Sequence, residues 1–457
     1  MTQERTAGCT EVLGAGPVEA MRRARDFLAG RSTAELLAAV GRTFDELALS
    51  DAPADKRAFP ASYGGGTPCD DDLLAGAGMF YVTQGGRLML DCTSGHYQMT
   101  WGYNHPLLAA AAVEALRLGI VWDNHSNIPS LPVKLLADRL AELGAEAGLE
   151  RAMLGVCTGS VACGAALKIM LTRYLADRSR KVLGPPVMVA LAGNYHGTDI
   201  AAQTMRGMWP GLLAGMETVQ VEPNDEDQLR AAFKRHGRRV AGFWAEPIMM
   251  NREALLVGAD YLRLARRLCT EYDALMAIDE IQTCFWCPEV FMFRRLDLEP
   301  DMVVVGKGMT AGFHPLAGLL YRQELDILEQ YDAISTNGNA SLAALMALCN
   351  LRLVRADAGR IGEVSQRHYD GLCGLAGEFP DVIQEVNGQG LLTGLKFHRR
   401  QDALDFHRAA LGRGLWLRVH AYHPGHRTLL MKYPLIVDDA IMSHVLGALR
   451  GILSEGS

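Results

Sequence analysis

Short apolar runs alternate with helical stretches in the middle of the chain, between about residues 150 and 322. The runs, with the polar residues that follow them, are RAMLGVCTGS, VMVALAGNYHG, VAGFWAEP, ALMAIDE, MVVVGKG and PLAGLLYRQ. Runs of this length are typical of strands that are buried on both faces. Their alternation with helices predicts an α/β fold with a mostly parallel sheet covered by helices.

The patterns on both sides of this region are different. Toward the amino end, VEAMRRARDFLAG and TAELLAAVGRTFDELAL predict amphipathic helices, and GMFYVTQGGRLMLDCTSG predicts a hairpin around a Gly-Gly turn. Toward the carboxyl end, two long helical segments precede IQEVNGQGLLTGLKF and RTLLMKYPLIV, which have the pattern of strands. We therefore predict a helical arm (1–60), the first part of a small domain (61–105), a large domain (106–345) and a carboxyl-terminal small α+β domain (346–457).

Composition narrows the functional classes. The chain has 457 residues, 49% hydrophobic and 21% charged, which is typical of a globular protein with a substantial core. A net charge of −7 argues against a nucleic-acid partner. No stretch has the pattern of a signal peptide or a membrane span, so we expect a cytoplasmic protein with no membrane partner. The ten cysteines lack regular spacing, and we expect most to be buried thiols.

The predicted strands carry polar residues at their carboxyl ends. In an open parallel sheet, this edge is where ligands bind. The residues at the edge are Thr158, Gly159, Ser160, Tyr195, His196, Glu246, Asp279 and Lys307.

Each of these residues has a structural explanation beside a functional one. The turn from Thr158 to Ser160 could simply cap a helix, or it could bind a phosphate with backbone N–H groups. Tyr195 could pack in the core or stack on a planar ring. Asp279 could pair with an arginine or with a protonated ring nitrogen. Lys307, between glycines, could be a surface residue or a Schiff-base lysine. Together these features describe the four attachments of pyridoxal phosphate (PLP), and their conjunction predicts that cofactor.

With these motifs, the chain resembles the class III (ornithine and omega-type) aminotransferases of PLP fold type I. The resemblance runs in family order over nearly the whole length, and its motifs are CTGSVACGAALK, NYHGT, AEP, IDEIQT and PDMVVVGKGMTAGFHPLAG. It implies a large domain with a mostly parallel seven-stranded sheet between helices, and a smaller α+β domain. It also implies a PLP-dependent transferase that acts on an amino acid or amine.

The resemblance implies roles for the matched residues around the cofactor ring. Lys307 would form the Schiff base and move the proton. Asp279 would keep the ring nitrogen protonated, so that the ring acts as an electron sink. Gln282 would donate to the phenolic oxygen, and Tyr195 would stack on the ring. Glu246, in the matched Glu-Pro, belongs to the same cofactor-binding set.

The resemblance also implies how the phosphate is held. Thr158, Gly159 and Ser160 form the phosphate turn of one subunit. The segment STNGNAS matches a family loop that crosses a dimer interface, so Ser335 or Thr336 would reach the phosphate of the partner subunit. A homodimer with composite active sites is therefore implied.

The chain departs from the family at positions that bind the amino donor. Asn251 stands in place of a glutamate that pairs with an arginine, and Lys432 matches that arginine. Two further arginines of the family are replaced by Asn387 and Thr198. Because guanidinium groups are the usual clamps for carboxylates, we expect an unusual substrate, or a clamp made by Arg206 or Lys432.

Other departures are aromatic or involve cysteine. Trp101 and Tyr103 replace a small residue and a histidine, which would suit a planar or bulky substrate if they do not simply pack in the core. Cys284 and Cys287 form a Cys-x-x-Cys pair, but no second pair stands at zinc spacing. We expect these two cysteines to lie in a substituted loop beside the site, and we expect no metal.

Several functions stay open beside transamination. The same cofactor supports aminomutase, epimerase, γ-elimination or carbon–carbon bond-forming reactions, for example with S-adenosylmethionine. A nicotinamide-dependent oxidoreductase is a remote alternative, because GQGLLTG has the wrong spacing for a dinucleotide motif and lies near the carboxyl end. A PLP-binding protein without turnover is also conceivable, although Lys307 and Asp279 argue against it.

Overall fold

The computed structural model describes residues 8–49, 72–123, 128–209, 211, 215–421 and 423–456. The strands are β1 (Leu73–Ala77), β2 (Phe80–Thr83), β3 (Leu88–Asp91), β4 (Arg151–Val156), β5 (Val187–Leu191), β6 (Glu217–Val221), β7 (Val240–Ala245), β8 (Ile248–Met249), β9 (Leu255–Leu256), β10 (Leu275–Asp279), β11 (Met302–Val305), β12 (Ala317–Tyr321), β13 (Ile383–Gln389), β14 (Leu392–Phe397), β15 (Leu415–Trp416), β16 (Arg418–His420) and β17 (Thr428–Lys432). The helices are α1 (Cys9–Leu13), α2 (Ala15–Ala29), α3 (Thr33–Ala39), α4 (Ser94–Tyr97), α5 (Pro106–Arg117), α6 (Leu131–Gly144), α7 (Gly159–Ala176), α8 (Arg178–Lys181), α9 (Ile200–Met205), α10 (Glu226–His236), α11 (Ala259–Tyr272), α12 (Met292–Arg295), α13 (Ser341–Ala356), α14 (Ala358–Glu378), α15 (Arg400–Gly412) and α16 (Asp439–Gly456).

The six predicted apolar runs all form strands of one seven-stranded sheet, whose order is β4-β12-β11-β10-β7-β5-β6. Only β12 is antiparallel to its neighbours, β11 and β4. The other six strands therefore share one direction, which confirms the mostly parallel α/β fold. The seventh strand, β6, is an edge strand with only one buried residue, and it was not predicted because it lacks a buried apolar run.

The apolar runs form strands because both of their faces are covered. Along β5, Val187, Val189 and Leu191 belong to one apolar cluster, whereas Met188 and Ala190 belong to another. Since side chains alternate along a strand, these two clusters lie on opposite faces of the sheet. This two-sided burial explains why the sequence shows continuous apolar runs.

Two smaller sheets are built from residues on either side of this region. The predicted hairpin of β2 and β3 is present, in a sheet of order β1-β2-β3-β15. The predicted carboxyl-terminal strands form a second sheet of order β13-β14-β17-β16. Since β15 pairs with β3 in parallel, the two ends of the chain share a sheet. No helix in the described ranges is long and apolar enough to cross a bilayer.

The prediction of one continuous helix over TAELLAAVGRTFDELAL was wrong. Helix α3 ends at Ala39, and Gly41 follows with a φ of +84°. A Cβ at Gly41 would lie 2.9 Å from the carbonyl oxygen of Arg413, so the chain turns there in close contact with another segment. The predicted boundary between arm and small domain, at residues 60 and 61, lies outside the described residues.

Candidate active site

A cavity of about 780 Å³ lies at the carboxyl edge of the central sheet. The shared direction of six strands brings their polar end residues to this edge. The residues of the predicted site that line the cavity are Thr158, Gly159, Ser160, Tyr195, Arg206, Gln282 and Lys307.

Lys307 follows β11 and is half-buried. Its φ of +40° is uncommon for a residue other than glycine. A Cβ at Gly308 would lie 2.1 Å from the ring of Trp286, so the turn passes close to that ring. Desolvation lowers the pKa of Lys307 to about 8, although the charges of Asp279 and Glu246 oppose this shift. A neutral amine, the nucleophilic form, is thus accessible near neutral pH.

Asp279 is the last residue of β10 and is buried. Its Oδ2 lies 2.8 Å from Nδ1 of His196, and the thiol of Cys163 donates to the same oxygen at 3.6 Å. Its Oδ1 accepts the backbone N–H of Ile281 at 3.0 Å. Burial opposes the charged form of His196, but the hydrogen bond and the charge of Asp279 raise the pKa of this histidine. The aspartate is therefore held in one orientation by three donors.

Glu246 follows β7 directly and is also buried. Its Oε1 accepts the backbone N–H of Tyr195 at 2.8 Å, and its Oε2 has no hydrogen-bond partner. Burial raises the pKa of Glu246, and nearby Asp279 acts in the same direction, whereas His196 opposes it. We call Asp279, Glu246 and His196 the acidic floor of the cavity.

Gln282 lines the cavity, and its buried Oε1 has no partner. Its backbone carbonyl accepts a hydrogen bond from Nζ of Lys432 at 2.6 Å. That amine also donates to the carbonyl of Tyr97 at 3.3 Å and lies 3.5 Å from the ring centre of Trp286. Lys432 is completely buried, and burial lowers its pKa well below the ordinary value. The structure therefore places Lys432 behind the cavity wall, where it supports Gln282.

Helix α7 begins at the cavity with an open N-terminus. Thr158 is its N-cap residue but makes no side-chain cap. The hydroxyl of Ser160 accepts the backbone N–H of Thr198 at 3.1 Å. A Cβ at Gly159 would lie 2.4 Å from Ile281, so only glycine fits there without displacement. The N–H groups of the first turn are thus available to an anion.

Ser335 and Thr336 are not among the residues that line this cavity. The N–H of Ser335 donates to the carbonyl of Gly155 at 2.6 Å, and a Cβ at Gly338 would lie 2.4 Å from the same oxygen. Thr336 itself is exposed. The loop therefore packs against β4 and presents Thr336 to the surface.

Trp101 and Tyr103, the predicted substrate residues, do not line the cavity either. Trp101 is buried and donates from Nε1 to Oδ1 of Asn350 at 2.7 Å. The hydroxyl of Tyr103 donates to Asp91 at 2.9 Å. Both side chains hold the amino-terminal segment in place.

The positions at which the chain departs from ornithine-type enzymes lie in different parts of the structure. Asn251 lines the cavity and brings no charge to it. Asn387 lies elsewhere and donates to the carbonyl of Glu253 at 3.0 Å. Cys284 and Cys287 are buried in the turn after β10, where burial raises the pKa of both thiols. Such thiols are unreactive, so the pair packs beside the site as the sequence suggested.

Among the residues that line the cavity and that the sequence analysis missed are three titratable ones with contacts at the cavity, His96, Arg418 and His423. Nη1 of Arg418 lies 2.8 Å from Nδ1 and 2.7 Å from Nε2 of His96. Nη2 of Arg206 lies 3.3 Å from Nε2 of His423. The available signal was the segment RVHAYHPGHR, which holds three histidines and two arginines. We call Arg206, Arg418, His96 and His423 the basic wall of the cavity.

The seven-stranded, mostly parallel sheet has the architecture of PLP-dependent enzymes of fold type I, and a lysine turn and a buried aspartate lie at its carboxyl edge. The sequence model of the family "Aminotransferase class-III" matches residues 72–453. The chain therefore belongs to the class-III aminotransferase family and is an aminotransferase enzyme.

Individual relatives agree with this assignment. The mitochondrial ornithine aminotransferase of Oryza sativa subsp. japonica is 28% identical over 340 residues, which cover 70% of this chain and 67% of the relative. The acetylornithine aminotransferase of Xylella fastidiosa is 30% identical over 336 residues, which cover 72% of this chain and 79% of the relative.

Solved structures share the fold. The N-acetylornithine aminotransferase from Stenotrophomonas maltophilia has a TM-score of 0.70 at 26% identity and covers 87% of this chain and 99% of its own. A transaminase from the marine bacterium Virgibacillus has a TM-score of 0.76 at 20% identity and covers 85% of this chain and 94% of its own.

Class-III aminotransferases use PLP, and the residues present fit this cofactor. The uncapped N-terminus of α7 offers N–H groups to a phosphate. The buried Oε1 of Gln282 has no hydrogen-bond partner among the described residues and is available to a donor in the cavity. Lys307, with its lowered pKa, supplies an amine at the same cavity.

Proposed function

We propose that Lys307 is the catalytic residue of this aminotransferase and that the acidic floor supports it. The observation that carries the proposal is the half-buried amine of Lys307, with a pKa lowered to about 8, in the same cavity as the open N-terminus of α7. When bound, PLP supplies an electron sink that allows an amino group to move between an amino acid or amine and a keto acid.

Lys307 has two tasks in this proposal. Its neutral amine attaches the cofactor, and the same Nζ, once free, carries a proton at the reacting carbon of the substrate. The desolvation that lowers its pKa serves both tasks, because a proton carrier works best when its pKa is near the operating pH. The positive φ of Lys307 fixes where the side chain leaves the turn.

Asp279 holds a proton on the ring nitrogen of the cofactor. The carboxylate is suited to this task because His196 and Cys163 contact one of its oxygens and the N–H of Ile281 contacts the other. The hydrogen bond and the charge of Asp279 raise the pKa of His196, which is buried beside it. Cys163 stands where the family has asparagine, so here a thiol contacts the aspartate.

The remaining contacts position the cofactor. Gln282 would donate an amide N–H to the phenolic oxygen, and Tyr195, whose backbone N–H donates to Glu246, would pack on the ring. Thr158, Gly159 and Ser160 bind the phosphate at the N-terminus of α7.

The proposed assembly is a homodimer in which Ser335 or Thr336 completes the partner subunit's phosphate site. Exposed apolar side chains support a second copy as the partner, since a patch of this kind is rare on a monomer. They lie on α5, on α6 and between them, and are Leu107, Val113, Leu116, Leu118, Val121, Trp122, Ile128, Leu131 and Leu135.

Two inactive variants can test this assembly. Mixing Lys307→Ala subunits with Ser335→Ala/Thr336→Val subunits after partial unfolding should restore activity, because each mixed dimer regains one intact site. A mixture as inactive as its components would contradict shared sites.

The cofactor assignment is tested by the visible spectrum of the purified protein supplied with PLP. We expect an absorption band of the lysine-bound cofactor in the visible spectrum that Lys307→Ala lacks. Amino transfer is then followed by mixing the holoenzyme with amino donors and separating the products. If the donor is converted to a keto acid without its nitrogen, the result supports transamination. If the product keeps the amino nitrogen of the donor, the proposed transamination is wrong and an aminomutase, epimerase or bond-forming reaction takes its place.

A further inference from the structure

The buried amine of Lys432 has acceptors on three sides. Lys432 ends β17, and its Nζ donates to the backbone carbonyls of Gln282 at 2.6 Å and of Tyr97 at 3.3 Å. The same nitrogen lies 3.5 Å from the ring centre of Trp286. No carboxylate in the described parts of the chain pairs with it. An ammonium group has three N–H donors, so two carbonyls and one aromatic face satisfy it without an acid.

Stability alone does not explain a lysine at this position. Lys432 is completely buried, and burial lowers its pKa, with the charge of Lys307 acting in the same direction. Burying a charge in the protein interior is costly, and an apolar side chain of similar volume is often equally stable or more stable there. The contacts of Lys432 therefore point to a role in the placement of the residues that it holds.

One contact of Lys432 fixes the turn that carries Gln282. The side chain of Gln282 lines the cavity, whereas its backbone carbonyl faces away from it and accepts the hydrogen bond of Lys432. This hydrogen bond therefore holds the peptide from which the amide side chain extends. Its loss would leave a buried carbonyl without a partner and would allow the turn to move.

The other contact reaches the lysine turn through Trp286. The indole is buried, and its Nε1 donates to the carbonyl of Tyr433 at 3.1 Å. A Cβ at Gly308 would lie 2.1 Å from this ring, so the turn that begins at Lys307 packs directly on the indole. The φ of Lys307 is +40°, and such a conformation persists only where surrounding contacts hold it. Trp286 therefore connects the amine of Lys432 with the turn of Lys307.

We propose that Lys432 is a positioning residue of the cofactor site, whose amine holds Gln282 through its carbonyl and the lysine turn through Trp286. The proposal rests on the proposed function, in which Gln282 and Lys307 bind the cofactor. Lys432 itself contacts neither cofactor nor substrate, because it is buried outside the cavity lining.

The test measures the PLP affinity of the cofactor-free protein and the visible spectrum of the PLP-loaded protein. Lys432→Met keeps a long, unbranched side chain but removes all three donors. PLP affinity should fall about 10-fold or more, since the loss of a hydrogen bond from a charged group changes an equilibrium by about that factor. The visible band should also shift, because the amide of Gln282 moves relative to the phenolic oxygen of the cofactor.

The matched control is Arg180→Met. Arg180 is a buried cation that donates to the backbone carbonyls of Arg238 at 3.0 Å and of Val240 at 2.7 Å. It also lies 4.9 Å from the ring centre of Tyr174, and it does not line the cavity. Its loss should lower the melting temperature, because buried carbonyls lose their donors, but PLP affinity and the visible band should stay at wild-type values.

A second pair of variants separates the two contacts. Trp286→Phe keeps an aromatic face for Lys432 but leaves a gap beside Gly308, so it should weaken PLP affinity about 3- to 10-fold. In the Lys307→Ala background, where PLP binds without a covalent bond, Trp286→Phe should have no further effect. Lys432→Met should still weaken PLP affinity in that background, because it also acts through Gln282.

The conservative variant Lys432→Arg keeps the charge and the donors, so its PLP affinity should be higher than that of Lys432→Met. If Lys432→Met does not fold, Lys432→Arg and Trp286→Phe carry the test. Wild-type PLP affinity and band position in both of them would then overturn the positioning role.

The visible band of the wild-type protein separates the two levels of the proposal. A wild-type protein without this band would overturn the proposed function itself. With the band present, a Lys432→Met variant with wild-type PLP affinity and band position would overturn the positioning role alone, whatever its melting temperature. An equal loss of PLP affinity in Lys432→Met and Arg180→Met would overturn it too, since the effect would then be a general loss of stability.

Discussion

The acidic floor and the basic wall belong to one cavity but balance their charges in opposite ways. In the floor, Asp279 is paired with His196, and Glu246 accepts a backbone N–H. In the wall, Arg206 contacts the ring of His423 and Arg418 that of His96, and neither pairs with an acid among the described residues. A charge satisfied within the protein keeps a fixed position, whereas an unsatisfied one attracts a ligand. The floor therefore suits a permanent cofactor, and the wall suits a substrate that comes and goes.

Removal of the amine of Lys307, which lies next to the acidic floor, should have the largest effect on amino transfer. Lys307→Ala should lower amino transfer on the order of 10³-fold or more, because it removes both the covalent attachment and the proton carrier. The measurement is the single-turnover rate of the PLP-loaded protein. Since Lys307 is half-buried, the variant should keep the melting temperature of the wild-type protein without cofactor. A variant that retains more than a tenth of the wild-type rate would contradict this assignment.

Neutralising the floor should have the next largest effect. Asp279→Asn should slow transfer by about 10²-fold and weaken PLP binding, because a neutral amide no longer stabilises a proton on the ring nitrogen. Asp301→Asn is the control, since Asp301 is a buried aspartate that pairs with Arg266 and Arg322 away from the cavity. The control should lower thermal stability but leave PLP affinity unchanged. Equal PLP affinity in the Asp279→Asn and Asp301→Asn variants would contradict the distinction between an acid of the floor and a purely structural acid.

The pH dependence of the rate at which PLP attaches to Lys307 tests the charge of the acidic floor, with a smaller expected effect than the two substitutions above. Desolvation lowers the pKa of Lys307 from 10.5 to about 8, and only the neutral amine is nucleophilic. The rate of PLP capture by the cofactor-free protein should therefore rise with pH up to about 8 and then level off. Because the charge of Asp279 raises this pKa, Asp279→Asn should move the plateau to lower pH. A rate that still rises at pH 10 would contradict the desolvated lysine.

A substitution of Tyr103, which lies outside the cavity lining, should have the smallest effect. Tyr103→Phe removes the hydrogen bond to the buried Asp91, and should lower the free energy of unfolding by about 1 kcal/mol. Denaturant unfolding measures this loss. The transfer rate should stay at the wild-type value, because Tyr103 does not line the cavity. A reduced transfer rate would place Tyr103 in the substrate site.

The acidic floor could be predicted from sequence because its residues end predictable strands. Asp279 and Glu246 directly follow apolar runs, and parallel strands bring such ends to one edge whatever the details of packing. The turn before α7, from Thr158 to Ser160, lies at this edge for the same reason. Lys307 could be predicted from the two glycines that flank it and from its position after the apolar run of β11.

Apart from Arg206, the basic wall could not be predicted in this way. Arg418 and His96 are separated by 322 positions, and the β3–β15 pairing brings their segments together. Trp101 lies outside the cavity lining for a similar reason, since its indole meets Asn350 across 249 positions. Nothing in the local pattern around these residues specifies such a partner.

The sequence alone determined the central sheet, the edge that carries the chemistry and the lysine and acid on it, because burial and strand direction are local properties with repeating patterns. Only the tertiary structure decided which side chains share the cavity with Lys307. It placed Lys432 behind the cavity and Arg418 in it, although both follow β15 within a short stretch of chain. Long-range contacts between small sheets decide such placements, and neither hydrophobic pattern nor motif spacing encodes them.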